Sequence, residues 1–194
     1  MRVHGPTVRL FLAINFPAEV RREIVAASTS LRDCAPELAW VDEPRLHLTL
    51  KFLGEQPAER VDEIQAAMAG VAGRHRELLL TVGGVGAFPN FRRARVVWMG
   101  VLQEPRLELL HHDVEVACER LGFEVDGRAF RPHLTLARVK HALPEERLRL
   151  LRRAAKKTEY SSDFIVRSID FMQSDLAAPS PTYRILASAA LRSD

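Results

Sequence analysis

The segments HLTLKFLG, residues 47–54, and HLTLAR, residues 133–138, spell His-Leu-Thr-Leu twice, 86 positions apart, in a chain of 194 residues with seven histidines. Alternation of polar and apolar residues marks a β-strand, whose side chains point to opposite faces in turn. Strict alternation places His47, Thr49 and Lys51 on one face, with Leu48, Leu50 and Phe52 on the other. In the second copy His133 and Thr135 share a face, backed by Leu134 and Leu136. Each copy therefore presents an imidazole and a hydroxyl side by side over an apolar anchor.

Outward from these strands the chain runs through two stretches of similar rhythm. Residues 7–16, TVRLFLAINF, read as a core strand stopped by Pro17, and residues 18–32 carry Val20, Ile24, Ala27 and Leu31 at helical spacing. A second amphipathic helix holds Val61, Ile64, Met68 and Val71 on one stripe. Residues 77–88, ELLLTVGGVGAF, read as a strand interrupted by glycines, followed across a turn at 88–91 by a strand at 93–102. A helix near 105–121, a strand from Ala129, a helix near 145–158 and two strands, about 162–173 and 181–190, complete the order. Arg9-Leu10-Phe11 and Arg95-Val96-Val97 also stand 86 apart, so the pattern predicts two βαβ-like halves in a common register. They are expected to form one domain, 1–194, of two pseudo-symmetric lobes near 1–90 and 91–194, with strands exchanged between lobes.

Composition narrows the class. With 47% of residues in the hydrophobic set and 27% charged, the chain is globular. The formal charge of +3, from 28 Lys plus Arg against 25 Asp plus Glu, permits a polyanionic partner without announcing one. Most of those cations are arginine, whose planar fork suits phosphate oxygens, although most arginines simply solvate a surface. Cys34 and Cys118 form neither a zinc-knuckle pattern nor a disulfide scaffold and are expected to be buried thiols. No apolar run reaches the ~18 to 20 residues that span a bilayer, and a cytoplasmic protein with no membrane partner is expected.

Two histidines and two threonines around one space suit general acid-base chemistry. An imidazole can accept a proton from an attacking oxygen while a second protonates the leaving oxygen, since its ordinary pKa of ~6.5 allows either role. The threonine hydroxyls can donate to the nonbridging oxygens of a phosphoryl group. A metal centre is the weaker reading, because Asp, Glu or Cys at ligand spacing and the HExxH pattern are missing from the sequence.

At these segments the sequence resembles the two-histidine phosphoesterase superfamily, in particular its RNA 2′,3′-cyclic phosphodiesterases, also named 2′-5′ RNA ligases. The resemblance spans VRLFLAI, LHLTLKFLGE, VGGVGAFPN, VVWMGV, FRPHLTLAR, FMQSDL and PTYRIL, nearly the whole chain. It implies a bilobal α+β fold of duplicated helix and antiparallel-sheet halves around a central groove. It also implies metal-independent opening of an RNA 2′,3′-cyclic phosphate to a 2′-phosphate, with no cofactor and with reversible 2′-5′ joining. The family's catalytic positions fall on His47, Thr49, His133 and Thr135, with His47 the expected proton donor and His133 the acceptor. The implied partner is RNA with a 2′,3′-cyclic end, tRNA fragments included, and no obligate protein partner.

The substrate-binding candidates are Arg138, Arg131, Phe11, Lys51 and Tyr183. The family's TLAR arginine lies near the phosphate, yet strand parity sets Arg138 opposite His133 unless the strand bends. Lys51 has the right parity, and Arg131 lies on the His133 strand face. Phe11 is a candidate for base stacking, with core packing as its competitor; Tyr183 and Phe130 face the same choice. Trp98 reads as core, and Ser174 lies in the distal matching segment. Gly83, Gly84 and Gly86 fail as a phosphate loop, because no helix and no GK[ST] follows, and read instead as a bulge, bend or close crossing. His4, His75, His111, His112 and His141 lack the repeated hydroxyl partner and read as structural or surface residues. Two other functions compete: hydrolysis of a small cyclic nucleotide or ADP-ribose cyclic phosphate by the same histidines, and RNA binding without turnover.

Overall fold

The computed structural model describes residues 6–175 and 181–193, and among them nine strands form one sheet, all of whose named pairs are antiparallel. In chain order these are β1 (Thr7–Asn15), β2 (Ala39–Trp40), β3 (His47–Pro57), β4 (Leu78–Phe88), β5 (Val96–Val101), β6 (His133–Arg138), β7 (Ser161–Val166), β8 (Ser168–Asp175) and β9 (Thr182–Ala190). The spatial order is β7-β4-β5-β6-β3-β1-β8-β9, with β2 paired to β6. That order is a palindrome of roles about the β6/β3 junction. One wing, β6-β5-β4-β7, mirrors the other, β3-β1-β8-β9, and each draws strands from both sequence halves.

The junction is narrow. β3 and β6 share one ladder pair, Leu48 with Leu134, both fully buried. Because the pair is antiparallel, His47 comes beside Thr135 and Thr49 beside His133 on the opposite face. Farther along β6, β2 takes over the same edge through Ala39 and Trp40. The predicted repeat offset is corrected here by one residue in the neighbouring strands. Asn15 stands opposite His47 and Gly100 opposite His133, so β1 and β5 are related by 85 positions rather than 86.

Among the described residues five α-helices cover the other face of the sheet: α1 (Ala18–Ala27), α2 (Thr29–Cys34), α3 (Val61–Ala72), α4 (Pro105–Arg120) and α5 (Glu145–Lys157). The stripe Ile64, Met68, Val71, Ala72 of α3 and the stripe Leu107, Leu110, Val114, Cys118 of α4 enter a core that is continuous across both wings. The wings exchange helices. α2 follows β1 but packs on α5, which lies against β4; α4 follows β5 but packs on β3 and α3. The single helix expected over 18–32 divides at Ser28, whose buried hydroxyl bonds back to the Ile24 carbonyl. The single strand expected at 162–173 breaks at Arg167, because β7 pairs with β4 in one wing and β8 with β1 in the other. Cys118 is buried, with its thiol pKa pushed up to about 11 by burial, and Cys34 is half-buried. Among the described residues no helix is long and apolar enough to cross a membrane.

Two β-bulges set the side-chain directions at the site. In β3, Leu12 pairs with Lys51 and Ala13 with Thr49, so Leu50 is an extra residue. In β6, Val97 pairs with Ala137 and Trp98 with Thr135, so Leu136 is the extra one, at the corresponding position. An extra residue reverses the alternation beyond it. Leu50 and Lys51 are both buried toward the helices, as are Leu136 and Ala137, while Phe52 and Arg138 turn out to the His-Thr face. The glycine-rich stretch of β4 serves the same sheet geometry. Gly84 is a bulge residue at φ +71°, and a Cβ on Gly86 would lie 2.1 Å from the Trp98 ring.

The Lys51 expectation is therefore overturned. Only 6% exposed, Lys51 forms a 2.7 Å ion pair with Glu115 of α4 and donates to the Glu124 carbonyl at 2.6 Å, behind the sheet. Breaking a buried pair from one side leaves an uncompensated charge, so Lys51→Met should cost about 3–5 kcal/mol of unfolding free energy in denaturant melts. The double replacement Lys51→Met/Glu115→Leu should recover most of that loss.

Candidate active site

The two backbone carbonyls that precede the motifs fix the two imidazoles. His47 Nδ1 lies 2.7 Å from the Arg45 carbonyl oxygen, and His133 Nδ1 lies 2.6 Å from that of Arg131. A carbonyl only accepts, so each Nδ1 carries hydrogen and each Nε2 keeps a free lone pair. The Arg45 carbonyl is itself held in a tight turn, Glu43–Arg45, braced by Arg21 to Glu43 and by Arg45 to Asp42, both at 2.8 Å. On the other side the Pro132 carbonyl accepts from Val101 N at 3.1 Å and anchors the entry to His133.

Aromatic rings wall both histidines. Phe11 lies 5.0 Å and Tyr183 5.3 Å from the His47 ring; Phe88 lies 4.9 Å and Trp98 6.2 Å from the His133 ring. Burial pushes both imidazoles below the ordinary 6.5, and the carbonyl bond to each Nδ1 works against it. Arg138 pushes both lower still, and His133 adds to the effect on His47. These mutual effects place His47, His133 and Arg138 around one electrostatic space. Both rings bind protons less readily folded than unfolded, so they withdraw stability as pH falls through 6.5.

The candidate residues divide accordingly. His47, Thr49, His133 and Thr135 come together at the junction, and Arg138 joins them because the β6 bulge reverses the parity that would have set it on the far side. Arg131 contributes its carbonyl to His133, while its side chain is exposed. Phe11 is 2% exposed in a small cluster with Ala13, Met172 and Tyr183 on the site face, so packing, not open stacking, is what it does here. Tyr183 stands edge-on to both Phe11 and His47. Phe130 stacks on His111 at 3.8 Å. Ser174 is buried on β8 opposite Tyr183 in the ladder.

Trp98, expected in the core, instead faces the site as the cover of Gly86 and neighbour of His133. Of the other histidines, His75 bonds Asp113 at 2.9 Å, His112 and His141 are exposed, and His4 lies outside the described residues.

Three groups escaped the sequence reading. Phe52, assigned to the core by alternation, is 61% exposed beside Phe11. Phe88 sits in what read as a turn. Asn15, across the ladder from His47, donates Nδ2 to Asp170 Oδ2 at 2.8 Å, and buried Asp170 also accepts from Ser188 at 2.5 Å. The polar residue closing the apolar run LFLAIN was the available signal for Asn15.

The comparisons with known proteins fit this geometry. The model of the 2′-5′ RNA ligase superfamily matches residues 16–178. The chain belongs to that superfamily. It is 33% identical to an Archaeoglobus fulgidus RNA 2′,3′-cyclic phosphodiesterase over 92% of this chain and 98% of the relative. It is 39% identical to an Escherichia coli protein of the same name over 67% and 71% respectively. A Geobacillus stearothermophilus relative, 37% identical over 66% of the chain, is matched over only 41% of its own length. Among solved structures, TT0787 of Thermus thermophilus superimposes with a TM-score of 0.78 at 29% identity, covering 96% of this chain and 99% of that one. Escherichia coli LigT complexed with 3′-AMP gives 0.72 at 29% identity with the same coverage. The superfamily's fold, helices over a curled antiparallel sheet, is the one expected from the paired motifs.

Arg138 holds down the proton affinity of both imidazoles, so its removal has a definite sign. In Arg138→Met, NMR titration of the His47 and His133 ring protons should show both midpoints moving up toward 6.5. A midpoint that stays in place for either ring would separate Arg138 from that histidine.

Proposed function

We propose that this chain hydrolyses RNA 2′,3′-cyclic phosphate ends to 2′-phosphates, without a metal ion, by paired-histidine acid-base catalysis. The observation that carries the reading is the matched pair of imidazoles across the Leu48–Leu134 junction, each with Nδ1 tied to a carbonyl and each beside a threonine hydroxyl. The RNA 2′,3′-cyclic phosphodiesterase names of the relatives support the substrate.

In this reaction a water oxygen attacks phosphorus in line with O3′. The base Nε2 takes a proton from the water, the P–O3′ bond breaks, and the acid Nε2 protonates O3′, leaving phosphate on O2′. His133 is the base and His47 the acid. The His133 side is the more open to solvent, which suits activation of water; His47 is packed against Phe11 and Tyr183, which suits an enclosed leaving oxygen. An imidazolium in a site that lowers its pKa also releases its proton more readily.

Thr49 and Thr135 donate hydrogen bonds to nonbridging oxygens, and the Arg138 fork balances the phosphate charge. The bound anion raises the proton affinity of the acid histidine against the burial and Arg138 effects. The same steps with a 5′-hydroxyl in place of water, forming P–O5′ as P–O3′ breaks and O3′ takes the proton, give a 2′-5′ phosphodiester and account for joining; their reversal opens that linkage again.

With EDTA present, 2′,3′-cyclic AMP and a short RNA with the same end should both be converted to 2′-phosphates. His47→Ala and His133→Ala should each lower kcat by about 10²–10⁴. A substrate with a better leaving group should restore rate to His47→Ala alone; rescue of His133→Ala instead would exchange the two roles. Thr49→Val and Thr135→Val should lower kcat by about 10²-fold with smaller changes in KM, read from initial rates. Full turnover by the double His→Ala variant would end the reading.

A further inference from the structure

We infer that a basic face built from the turn Phe91–Arg93 and helix α5 binds the phosphodiester backbone of the RNA strand leading to the reacting end. The inference rests on the proposed function and extends it from the terminal phosphate to the body of the substrate.

The turn and helix form a built surface. Phe91–Arg93 packs on α5, and between them lies a depression of about 420 Å³ lined by Asn90, Phe91, Arg92 and Arg152. The Asn90 side chain accepts from the Arg92 and Arg93 amides at 2.9 and 3.2 Å, which fixes the turn, and Phe91 is seated against the core. On α5 the apolar stripe Leu151, Ala154 and Ala155 faces inward, leaving Arg149, Arg152 and Arg153 exposed, three and four residues apart along one face.

These cations have no acidic partner in contact, although Glu145 and Glu146 stand four and three residues before Arg149 on the helix. Among the described residues no hydrogen bond or ion pair engages the side chains of Arg92, Arg93, Arg149, Arg152 or Arg153. The helix dipole accounts for Lys156 and Lys157 in the last turn, and for Glu145 and Glu146 in the first; of the four arginines in between, Arg147 meets Glu37 and the Cys34 carbonyl, which leaves Arg149, Arg152 and Arg153 without such an account. Neither Arg152 nor Arg153 has a carboxylate three or four residues away on the helix. A second arginine-lined depression differs in this respect: there Arg74 and His75 meet Asp113, and Arg106 donates to the Glu77 carbonyl.

Position ties this face to the groove. The turn begins three residues after Phe88, whose ring touches His133. Because α5 lies on the helix side of the sheet, a strand whose terminal phosphate lies between the histidines would reach the α5 arginines by rounding the β4–β5 turn, where Arg92 stands. The cations are unpaired and there are no aromatic side chains along α5, so backbone charge, not base identity, is what this surface reads.

The test compares wild type with Arg92→Ala/Arg152→Ala, using 2′,3′-cyclic AMP turnover and equilibrium binding of a 12-nucleotide RNA ending in 3′-phosphate across a salt series. The double variant should bind the RNA about tenfold more weakly, with a log K against log salt slope shallower by about 1.4, two single-strand phosphate contacts at about 0.7 each. Its cyclic AMP kinetics should match wild type, and Arg92→Lys/Arg152→Lys should restore most RNA affinity. Unchanged RNA affinity and slope would overturn the inference, as would an equal loss on the mononucleotide, which would mean that the arginines serve the groove or the fold. Absence of cyclic AMP turnover by wild type counts against the catalytic reading only, because the RNA binding is measured without chemistry.

Discussion

A single antiparallel pair, Leu48 with Leu134, joins the two wings of the sheet, and the placement of the four candidate catalytic groups descends from it. Both leucines are buried on the helix side. Pleating then obliges the residues on either side to face the groove, so one hydrophobic contact sets four polar groups. Burial of two leucine side chains, about 1.5–3 kcal/mol each, offsets the cost of holding two imidazoles away from water. The repeated tetrapeptide is thus a fold signal and a chemical signal together.

The bulges one residue beyond each threonine complete the arrangement. Without them the cation on β6 would join the helices and the one on β3 would join the groove; with them the opposite holds. The result is an asymmetric pair of positions, Phe52 on one side and Arg138 on the other, in an otherwise matched frame. A site acting on a substrate without twofold symmetry needs such a difference. Asn15 and Gly100, which occupy corresponding ladder positions beside the two histidines, supply another.

The sequence carried the fold through periodicity and the site through repetition. Strands and helices with a clear two- or three-to-four-residue pattern stand close to where their apolar residues put them, as for α3, α4 and β9. What strict alternation could not carry was the parity beyond a bulge, because Leu-Lys and Leu-Ala look like ordinary strand residues and the extra residue exists only relative to a neighbouring strand. That one omission sent Lys51 to the wrong face, hid Phe52, and made Arg138 look out of place. Arg167 concealed itself differently: an uninterrupted run of strand formers spans two wings. Helix exchange between wings was equally invisible, since a helix's partner is fixed by tertiary packing and not by its own stripe.

Arg167 alone connects β7, at the outer edge of one wing, to β8, inside the other. A link of one residue on the side away from the Leu48–Leu134 junction limits how far the two wings can separate there. A cleft tied in this way favours recognition by a template of nearly constant width over closure around the ligand.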